Sequence, residues 1–124
     1  MTAWTNDELD TIAAADELEL ASARRDGAAL RKPVTIWVVR QGDDLFVRSV
    51  NGRGSTWFRG VQDRHEGHIH AGGVDKDVAL VEVDDLEDEI DEAYRTTYQR
   101  YGARYVDPMF GPQAQAATLK LVPE

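Results

Sequence analysis

A polar, glycine-rich stretch at residues 50–60, VNGRGSTWFRG, holds the side chains best suited to binding an anion. Ser55 and Thr56 can each cap a helix that starts there, and a helix N-terminus offers unpaired N–H groups and the positive end of a dipole. Trp57 supplies an aromatic plane beside them. The positive charge would come from Arg48, Arg53 and Arg59. Together these groups suit a phosphate on a planar ligand, although the stretch lacks the Lys-Ser/Thr spacing of a P-loop.

The alternative interpretation of this stretch is a hairpin leading into a short helix, with Trp57 and Phe58 filling a core. The charge distribution favours the anion site. The chain has a formal net charge of −9, yet residues 24–64 hold nine Lys or Arg against four Asp, a balance of +5, and the remainder has a balance of −14. A basic island in an acidic protein is typical of a site for a small anion, with a solvated surface patch as the alternative. The overall negative charge argues against nucleic-acid binding, because phosphate contacts along nucleic acid need clustered Lys and Arg.

The three histidines, His65, His68 and His70, lie close together in the segment RHEGHIH. In a strand, His68 and His70 share one face, and Glu66 could join them as a metal ligand. Isolated pairs of this kind on exposed strands are far commoner than metal sites, so we expect these histidines to bind no functional metal. The chain has no cysteine, which excludes disulfides, thiolate zinc sites and cysteine nucleophiles.

Six runs of alternating or β-branched residues predict the strands that must position these groups. The runs are 17–22, 34–40, 45–50, 67–73, 74–83 and 118–122. The second run, VTIWVVR, is expected to be buried on both faces. A helix is predicted before the first strand, because Thr5 and Glu8 fit a capping box.

A second, acid-rich helix is predicted between Asp84, which can cap it, and Gly102, which ends it. Its inner stripe is predicted as Leu86, Ile90, Ala93, Thr97 and Tyr101. The tyrosines of this region are expected in core or rim packing, with a hydrogen bond from one of them to a cofactor as the alternative; they are Tyr94, Tyr98, Tyr101 and Tyr105. The order of elements predicts an α+β fold, most simply a small antiparallel barrel with two main helices. The buried positions expected in it are Trp37, Val39, Val47 and Val81.

One domain spanning residues 1–124 accounts for the length of the chain. The N-terminal sequence MTAWTNDELD has neither the basic start nor the apolar segment of a signal peptide. No apolar run approaches the roughly 20 residues of a membrane span. We therefore expect a cytoplasmic, soluble protein without a membrane partner.

Four stretches of the sequence resemble an uncharacterised bacterial family, the domain-of-unknown-function 2255 family. They are RRDGAALRKPVTIWVVRQGDDLFVRSVNGRGSTWFRG, AGGVDKDVALVEV, DEAYRTTYQRYG and TLKLVPE. That family is similar in turn to the split β-barrel flavoproteins, which include pyridoxamine-phosphate-oxidase-like and deazaflavin-dependent enzymes. In those relatives a strand ending in Ser or Thr leads into a Ser-containing loop and a short helix, which hold the cofactor phosphate. The residues of this chain in that segment are Arg48, Ser49, Ser55, Thr56, Trp57 and Arg59.

The resemblance implies a six-stranded antiparallel split β-barrel of the FMN-binding type. It also implies a flavin- or deazaflavin-dependent oxidoreductase that holds FMN or a deazaflavin at the 48–59 segment, in which the cofactor does the hydride chemistry. The alternative is a non-catalytic module that binds a small anionic ligand or nothing. A third interpretation is a homodimerisation protein that uses Trp57 and the tyrosines as interface anchors.

Overall fold

The computed structural model describes residues 4–15, 17–22, 32–50, 52–83, 86–98, 101–102 and 107–123. Its strands are β1 Glu17–Ser22, β2 Val34–Gln41, β3 Asp44–Arg48, β4 Glu66–Ala71, β5 Val74–Glu82 and β6 Thr118–Pro123. They pair antiparallel in the order β1-β2-β3-β6-β5-β4, and β4 pairs back onto β1 to close a barrel. The predicted six-stranded antiparallel barrel is confirmed.

Within the described ranges of the chain, four α-helices accompany the barrel, namely the two main helices that were expected and two shorter ones. They are α1 Asn6–Ala15, α2 Thr56–Arg64, α3 Glu87–Tyr98 and α4 Pro112–Gln115. The expected short helix after the glycine-rich stretch is α2, which is nine residues long. The additional helix is α4, which begins with Pro112 at a position where the missing proline N–H costs no hydrogen bond. In the part of the chain that the structure describes, no helix is long and apolar enough to cross a membrane.

The inner faces of the strands form the main core, because alternate side chains of a strand point to opposite sides of the sheet. Leu18 and Leu20 of β1 are buried there, as their alternation predicted. Phe58 of α2 is also fully buried in this core, so the alternative interpretation of its role as a packing residue is confirmed. The strand members of this core are Leu18, Leu20, Val38, Leu45, Val47, Ile69, Ala71, Val78, Leu80, Leu119 and Leu121.

A second, smaller core lies between α3 and the outer faces of β2 and β3. Val39 and Phe46 contribute from the strands, and Ile90, Tyr94 and Tyr98 contribute from α3. The predicted inner stripe of this helix was therefore partly wrong. Its buried residues follow an i, i+4 spacing that passes through two tyrosines, while Tyr101 is 42% exposed.

Two expectations about burial are corrected by the strand alternation. Val81 is 43% exposed, because Leu80 takes the inward position of β5 and its neighbour must point outward. Trp37 is only half-buried on the outer face of β2, where Tyr98 covers one side of it. Val39 and Val47 are buried as predicted.

The second strand was expected to be covered on both sides along its length, and the structure corrects this as well. β2 is fully buried only at its neighbouring residues Val38 and Val39, which lie on opposite faces of the sheet. The proposed cap Asp84 and the residue Tyr105 lie outside the described part of the chain.

Candidate functional site

The start of α2 provides the backbone of the candidate site. Ser55 has extended geometry, with φ −66° and ψ 151°, and its hydroxyl accepts a hydrogen bond from the Phe58 N–H at 3.3 Å. Ser55 is therefore the N-cap, as predicted, and Thr56 is the first helical residue rather than a second cap. The N–H groups of Thr56 and Trp57 precede the first intrahelical hydrogen bond, so the helix itself gives them no partner.

Ser49 supports this helix start from the end of β3. It is almost fully buried, and its hydroxyl lies 2.7 Å from the Ser55 hydroxyl. Its backbone carbonyl accepts from the Gly52 N–H at 2.9 Å, where Gly52 has a φ of +82° that favours glycine. Either hydroxyl can donate across the 2.7 Å contact. When Ser49 donates, the Ser55 proton remains for a ligand.

A cavity of about 460 Å³ lies against the first turn of α2. Thr56 and Trp57 form one side of it, and Lys32 brings an ammonium group from the segment before β2. The complete lining is Leu20, Ser22, Lys32, Pro33, Val34, Thr56 and Trp57. Lys32 was not among the candidate residues predicted from the sequence. Lys32 belongs to the basic island at residues 24–64, and this was the sequence signal that could have identified it. Residue spacing could not show that the segment before β2 lies next to the start of α2.

Arg48 does not supply its charge to this cavity. Its side chain is fully buried beneath α3, where Nη1 is paired with the carboxylate of Asp91. Its Nε donates to Thr118 Oγ1 at 2.9 Å, and its Nη2 donates to the backbone carbonyl of Glu87 at 3.3 Å. The guanidinium also lies 5.6 Å from the ring centre of Tyr94. Arg48 thus ties β3 to α3 and β6.

The other two predicted arginines occupy different environments. Arg53 donates from Nη1 to Glu82 Oε1 at 2.5 Å and to the Ala116 carbonyl at 3.0 Å. The hydrogen bond from Arg53 to Glu82 is the main cause that lowers the pKa of the Glu82 carboxyl below its ordinary value. Arg59 is exposed on α2, one turn after Thr56, and among the described residues it has no ion-pair partner. Arg59 is therefore the predicted arginine whose charge is available to a ligand.

Trp57 also borders a second cavity of about 250 Å³, so it contributes to the lining of both cavities. The ring is half-buried and meets the Phe58 ring edge-on, with the centroids 5.9 Å apart. The predicted residues Ser49, Ser55, Thr56 and Trp57 thus come together, and Arg59 follows one turn later. Arg48 and Arg53 point to carboxylates elsewhere.

The histidines lie away from this site. His65 ends α2 in a left-handed conformation with φ 58°, and its ring nitrogen lies 3.4 Å from Glu82. His68 and His70 share the outer face of β4 with the carboxylates of β5. Across the residues that the structure describes, no three His, Cys, Asp or Glu side chains are arranged to hold a metal ion. The absence of a functional metal at the histidines remains a prediction.

The sequence matches the model of a bacterial family described as "Uncharacterized protein conserved in bacteria (DUF2255)" over residues 8–121. No curated protein matches the chain. The fold has clear structural relatives. HutZ, described as the heme storage protein from Vibrio cholerae, superimposes with a TM-score of 0.65 at 16% identity, covering 96% of this chain and 89% of that one.

Two further solved structures share the fold. A FAD-binding protein from Mesorhizobium loti has a TM-score of 0.62 at 15% identity, covering 99% of this chain and 92% of its own. An F420-H2 dependent reductase has a TM-score of 0.58 at 11% identity, covering 86% of this chain and 93% of its own. The architecture is therefore the split β-barrel of FMN-binding-like proteins.

Proposed function

We propose that this chain, which belongs to the DUF2255 family of bacterial proteins, binds a flavin or deazaflavin cofactor by its phosphate at the start of α2 and acts as an oxidoreductase. The observation that carries the proposal is the cavity of about 460 Å³ that Lys32, Thr56 and Trp57 line. It combines an unpaired helix N-terminus, a cation and an aromatic wall in one place.

The polar side of this cavity fits a phosphate. The N–H groups of Thr56 and Trp57 point out of the first turn of α2, where the helix dipole is positive. Lys32 lines the cavity and adds a cation. In this proposal the Ser55 hydroxyl and the Arg59 side chain, which flank Thr56 and Trp57 on α2, also reach the phosphate. Charge-assisted hydrogen bonds of this kind are stronger than neutral ones, so the cations should dominate the affinity.

The apolar side fits a planar ring system. Leu20, Pro33 and Val34 form a wall opposite the indole of Trp57. When bound, a flavin or deazaflavin supplies the hydride chemistry, and the protein binds the cofactor, orients it and excludes water from it. Because the cofactor supplies the hydride chemistry, the protein does not need a separate acid–base pair at this site.

Arg48 and Arg53 have positioning roles in this proposal. Arg48 fixes the end of β3 through its ion pair with Asp91, and Ser49 follows directly. Arg53 holds the glycine-rich turn against β5 through Glu82, with its guanidinium 5.2 Å from the ring centre of Phe58. Both arginines therefore shape the 48–59 segment, while the counter-charge for the phosphate comes from Lys32 and Arg59.

The structural relatives support a cofactor-binding role without selecting the cofactor. One is described as FAD-binding, one as an F420-H2 dependent reductase and one as a heme storage protein. All three descriptions name a molecule with a large planar ring system. The phosphate-binding groups at α2 favour FMN or a deazaflavin for this chain.

One observation favours a second candidate, a non-catalytic module that binds a small anionic ligand. Two of the three arginines expected at the anion site are neutralised by carboxylates, Arg48 by Asp91 and Arg53 by Glu82. The free positive charge at the cavity is therefore smaller than the sequence suggests, which suits a weakly held anion. The cytoplasm and a homodimer remain the expected compartment and assembly for both candidates.

Titration calorimetry with FMN and with a deazaflavin tests the proposal. Each charge-assisted hydrogen bond is worth about 1.5–3 kcal/mol, so Lys32→Ala and Arg59→Ala should each weaken cofactor binding by roughly one to two decades. Ser55→Ala should weaken it by a smaller factor because its hydroxyl is uncharged. Arg64→Ala is the matched control, since Arg64 lies on the same helix but pairs with Glu66 at the opposite end.

The two candidates give different results in this titration. If the wild-type protein binds neither cofactor below millimolar concentration, the oxidoreductase proposal fails and the binding-module candidate replaces it. If it binds a cofactor and the Lys32→Ala and Arg59→Ala variants bind equally well, the phosphate lies elsewhere and the 48–59 segment is only a turn.

A further inference from the structure

We infer that the second cavity bordered by Trp57 is a subsite for an organic cation that carries an aromatic ring. The cavity measures about 250 Å³, which suits a molecule of one or two rings. Its lining is Glu17, Thr35, Ile36, Trp37, Arg48, Val50 and Trp57. As the identity of a substrate, the inference rests on the proposed function. As a binding site, it shares only Trp57 with the proposed cofactor site, and its other lining residues are distinct.

Trp37 presents one free aromatic face in this region. Its ring stacks on Tyr98 with the centroids 4.2 Å apart and the planes 4° from parallel, so one face is covered. Tyr101 lies 5.3 Å from Trp37 and 6.0 Å from Tyr98. If the two tyrosines sandwiched Trp37, their centroids would be separated by nearly the sum of their distances from it. They therefore lie at one face and one edge, and among the described residues no other aromatic ring stacks on the opposite face.

The charge beside this face is negative. Glu17 is exposed, and it is the cross-strand partner of Trp37 in the β1–β2 ladder. In the part of the chain that the structure describes, no basic side chain pairs with the Glu17 carboxylate. Arg48 also borders the cavity, but its side chain has no exposed surface and its charge is matched by Asp91. Among the described residues that line the cavity, Glu17 is therefore the one with an exposed charge for an entering ligand to meet.

An aromatic face next to a carboxylate favours a cation. A positively charged group is attracted by the face of a tryptophan and by a nearby carboxylate, whereas an anion is repelled by the carboxylate. Val50, which is 42% exposed, and the half-buried Ile36 add apolar surface for a ring. The subsite therefore matches an aromatic amine better than an aromatic alcohol, and an alcohol better than an aromatic acid.

Binding of three matched probes tests this order: 2-phenylethylamine, 2-phenylethanol and phenylacetate, without any cofactor present. The indole N–H signals of the three tryptophans report the binding in a heteronuclear NMR titration. Trp37 and Trp57 should shift. Trp4 should not, because its Nε1 donates to Leu121 in the core at 3.0 Å, and it serves as the internal reference. We expect the amine to bind about tenfold more tightly than the alcohol, and the acid to bind most weakly.

The variant Glu17→Gln should weaken binding of the amine by about tenfold and leave the alcohol unchanged. Glu19→Gln is the matched control, because Glu19 is an exposed carboxylate on the same strand that borders a different cavity, beside His68 and His70. Equal binding of the three probes, or equal losses in the two variants, would overturn the inference.

A competition with FMN separates this inference from the proposed function. Saturating FMN should leave the amine bound, because the two cavities have no lining residue in common except Trp57. If FMN displaces the amine, the smaller cavity is part of the cofactor site, and the inference fails while the proposed function stands. If the amine binds as expected and neither cofactor binds, the subsite stands and the proposed oxidoreductase fails.

Discussion

His68 lies between two carboxylates on the outer face of the barrel. Its Nδ1 lies 2.9 Å from Asp77 and its Nε2 lies 3.1 Å from Asp75. Both ring nitrogens can donate only when the imidazole is protonated, so this geometry favours the charged form. The hydrogen bond to Asp77 is the largest cause that raises the pKa of His68, and partial burial opposes it.

This arrangement predicts a pH-dependent contribution to stability. The pKa of His68 is higher in the folded protein than in the unfolded chain, so the contribution is fully present below the unfolded value of about 6.5. It is lost as the pH rises through the raised pKa. Urea unfolding of the wild type and of His68→Gln should therefore differ most at mildly acidic pH, where the imidazole is charged and Asp75 and Asp77 are still ionised, and the difference should vanish at alkaline pH.

An NMR titration of the imidazole supplies the control for this prediction. Asp77→Asn should lower the pKa of His68 towards its ordinary value, because the amide removes the charge that stabilises the imidazolium. A difference in the free energy of unfolding between wild type and His68→Gln that does not change with pH would contradict the assignment.

Single residues were predictable from sequence where their partners are local. Ser55 caps α2 through a bond to Phe58, three residues away, and the capping preference of serine is a property of the segment itself. Arg48 is the opposite case, since its carboxylate partner Asp91 lies 43 residues away on another element. Strand alternation could not decide which side of β3 faces the core, and it carries no information about the helix that covers Arg48.

At the scale of elements, Tyr98 joins α3 to the sheet in the place of a strand partner. Among the described residues, the last pair of the β1–β2 ladder is Glu17 with Trp37, and Val38 is the next residue of β2. The Val38 N–H donates to the Tyr98 hydroxyl at 3.1 Å, and that hydroxyl donates to the Val38 carbonyl at 2.5 Å. Burial raises the pKa of Tyr98, which keeps the hydroxyl protonated as this bond requires.

Replacement of this hydroxyl should destabilise the protein. Tyr98→Phe leaves a buried N–H and a buried carbonyl of Val38 without their partner, which costs about 1–3 kcal/mol of unfolding free energy. Tyr94→Phe is the matched variant, because Tyr94 is buried on the same helix and its hydroxyl donates to the Trp37 carbonyl over a longer distance, 3.3 Å. Chemical denaturation should show the larger loss for Tyr98→Phe. Equal losses would argue against the strand-replacing role.

The elements themselves were predictable to different extents. The capping box of α1 is confirmed, with the Thr5 N–H donating to Glu8 Oε1 at 2.9 Å and the Glu8 N–H donating to Thr5 Oγ1 at 3.1 Å. Both partners are in the same turn, so the sequence alone contains the signal. The inner face of α3 was predicted only in part, because the predicted stripe included Tyr101 and left out Tyr94 and Tyr98. The buried residues Ile90, Tyr94 and Tyr98 follow a four-residue spacing.

At the scale of the whole molecule, the barrel depends on the seam between β1 and β4. The other five strand pairings would by themselves form an open sheet with β1 and β4 at its edges. The β1–β4 pairing joins these two edge strands and closes the barrel. Gly67 of β4 lies opposite Ser22 of β1 at this seam. The alternating sequence pattern predicted the strands and the barrel class. The strand order, and with it the position of Gly67 at the β1–β4 seam, depends on contacts between distant segments and could not be predicted from this pattern.

Gly67 should be essential to closure because there is no room for a side chain. A Cβ atom built there would lie 2.7 Å from the backbone oxygen of Ala21 and 3.3 Å from Ser22 Cα. Backbone atoms of a paired strand cannot move aside without lengthening the ladder, so Gly67→Ala should lower the free energy of unfolding by about 1–3 kcal/mol. Gly54→Ala is the control, since a Cβ at Gly54 meets nothing within 4 Å, and it should change stability by less than about 0.5 kcal/mol.

Hydrogen exchange can locate the damage in the Gly67→Ala variant. Amides of β1 and β4 should lose protection first, because their shared ladder is the one that the new methyl group forces apart. Amides in the β3–β6 pair, for example Val47 and Leu119, should keep protection closer to that of the wild type because they lie in a different ladder. A uniform loss around the barrel would mean that the six strands open as one cooperative unit. Unchanged stability would show that the seam can widen at little cost, and Gly67 would then have no role in closing the barrel.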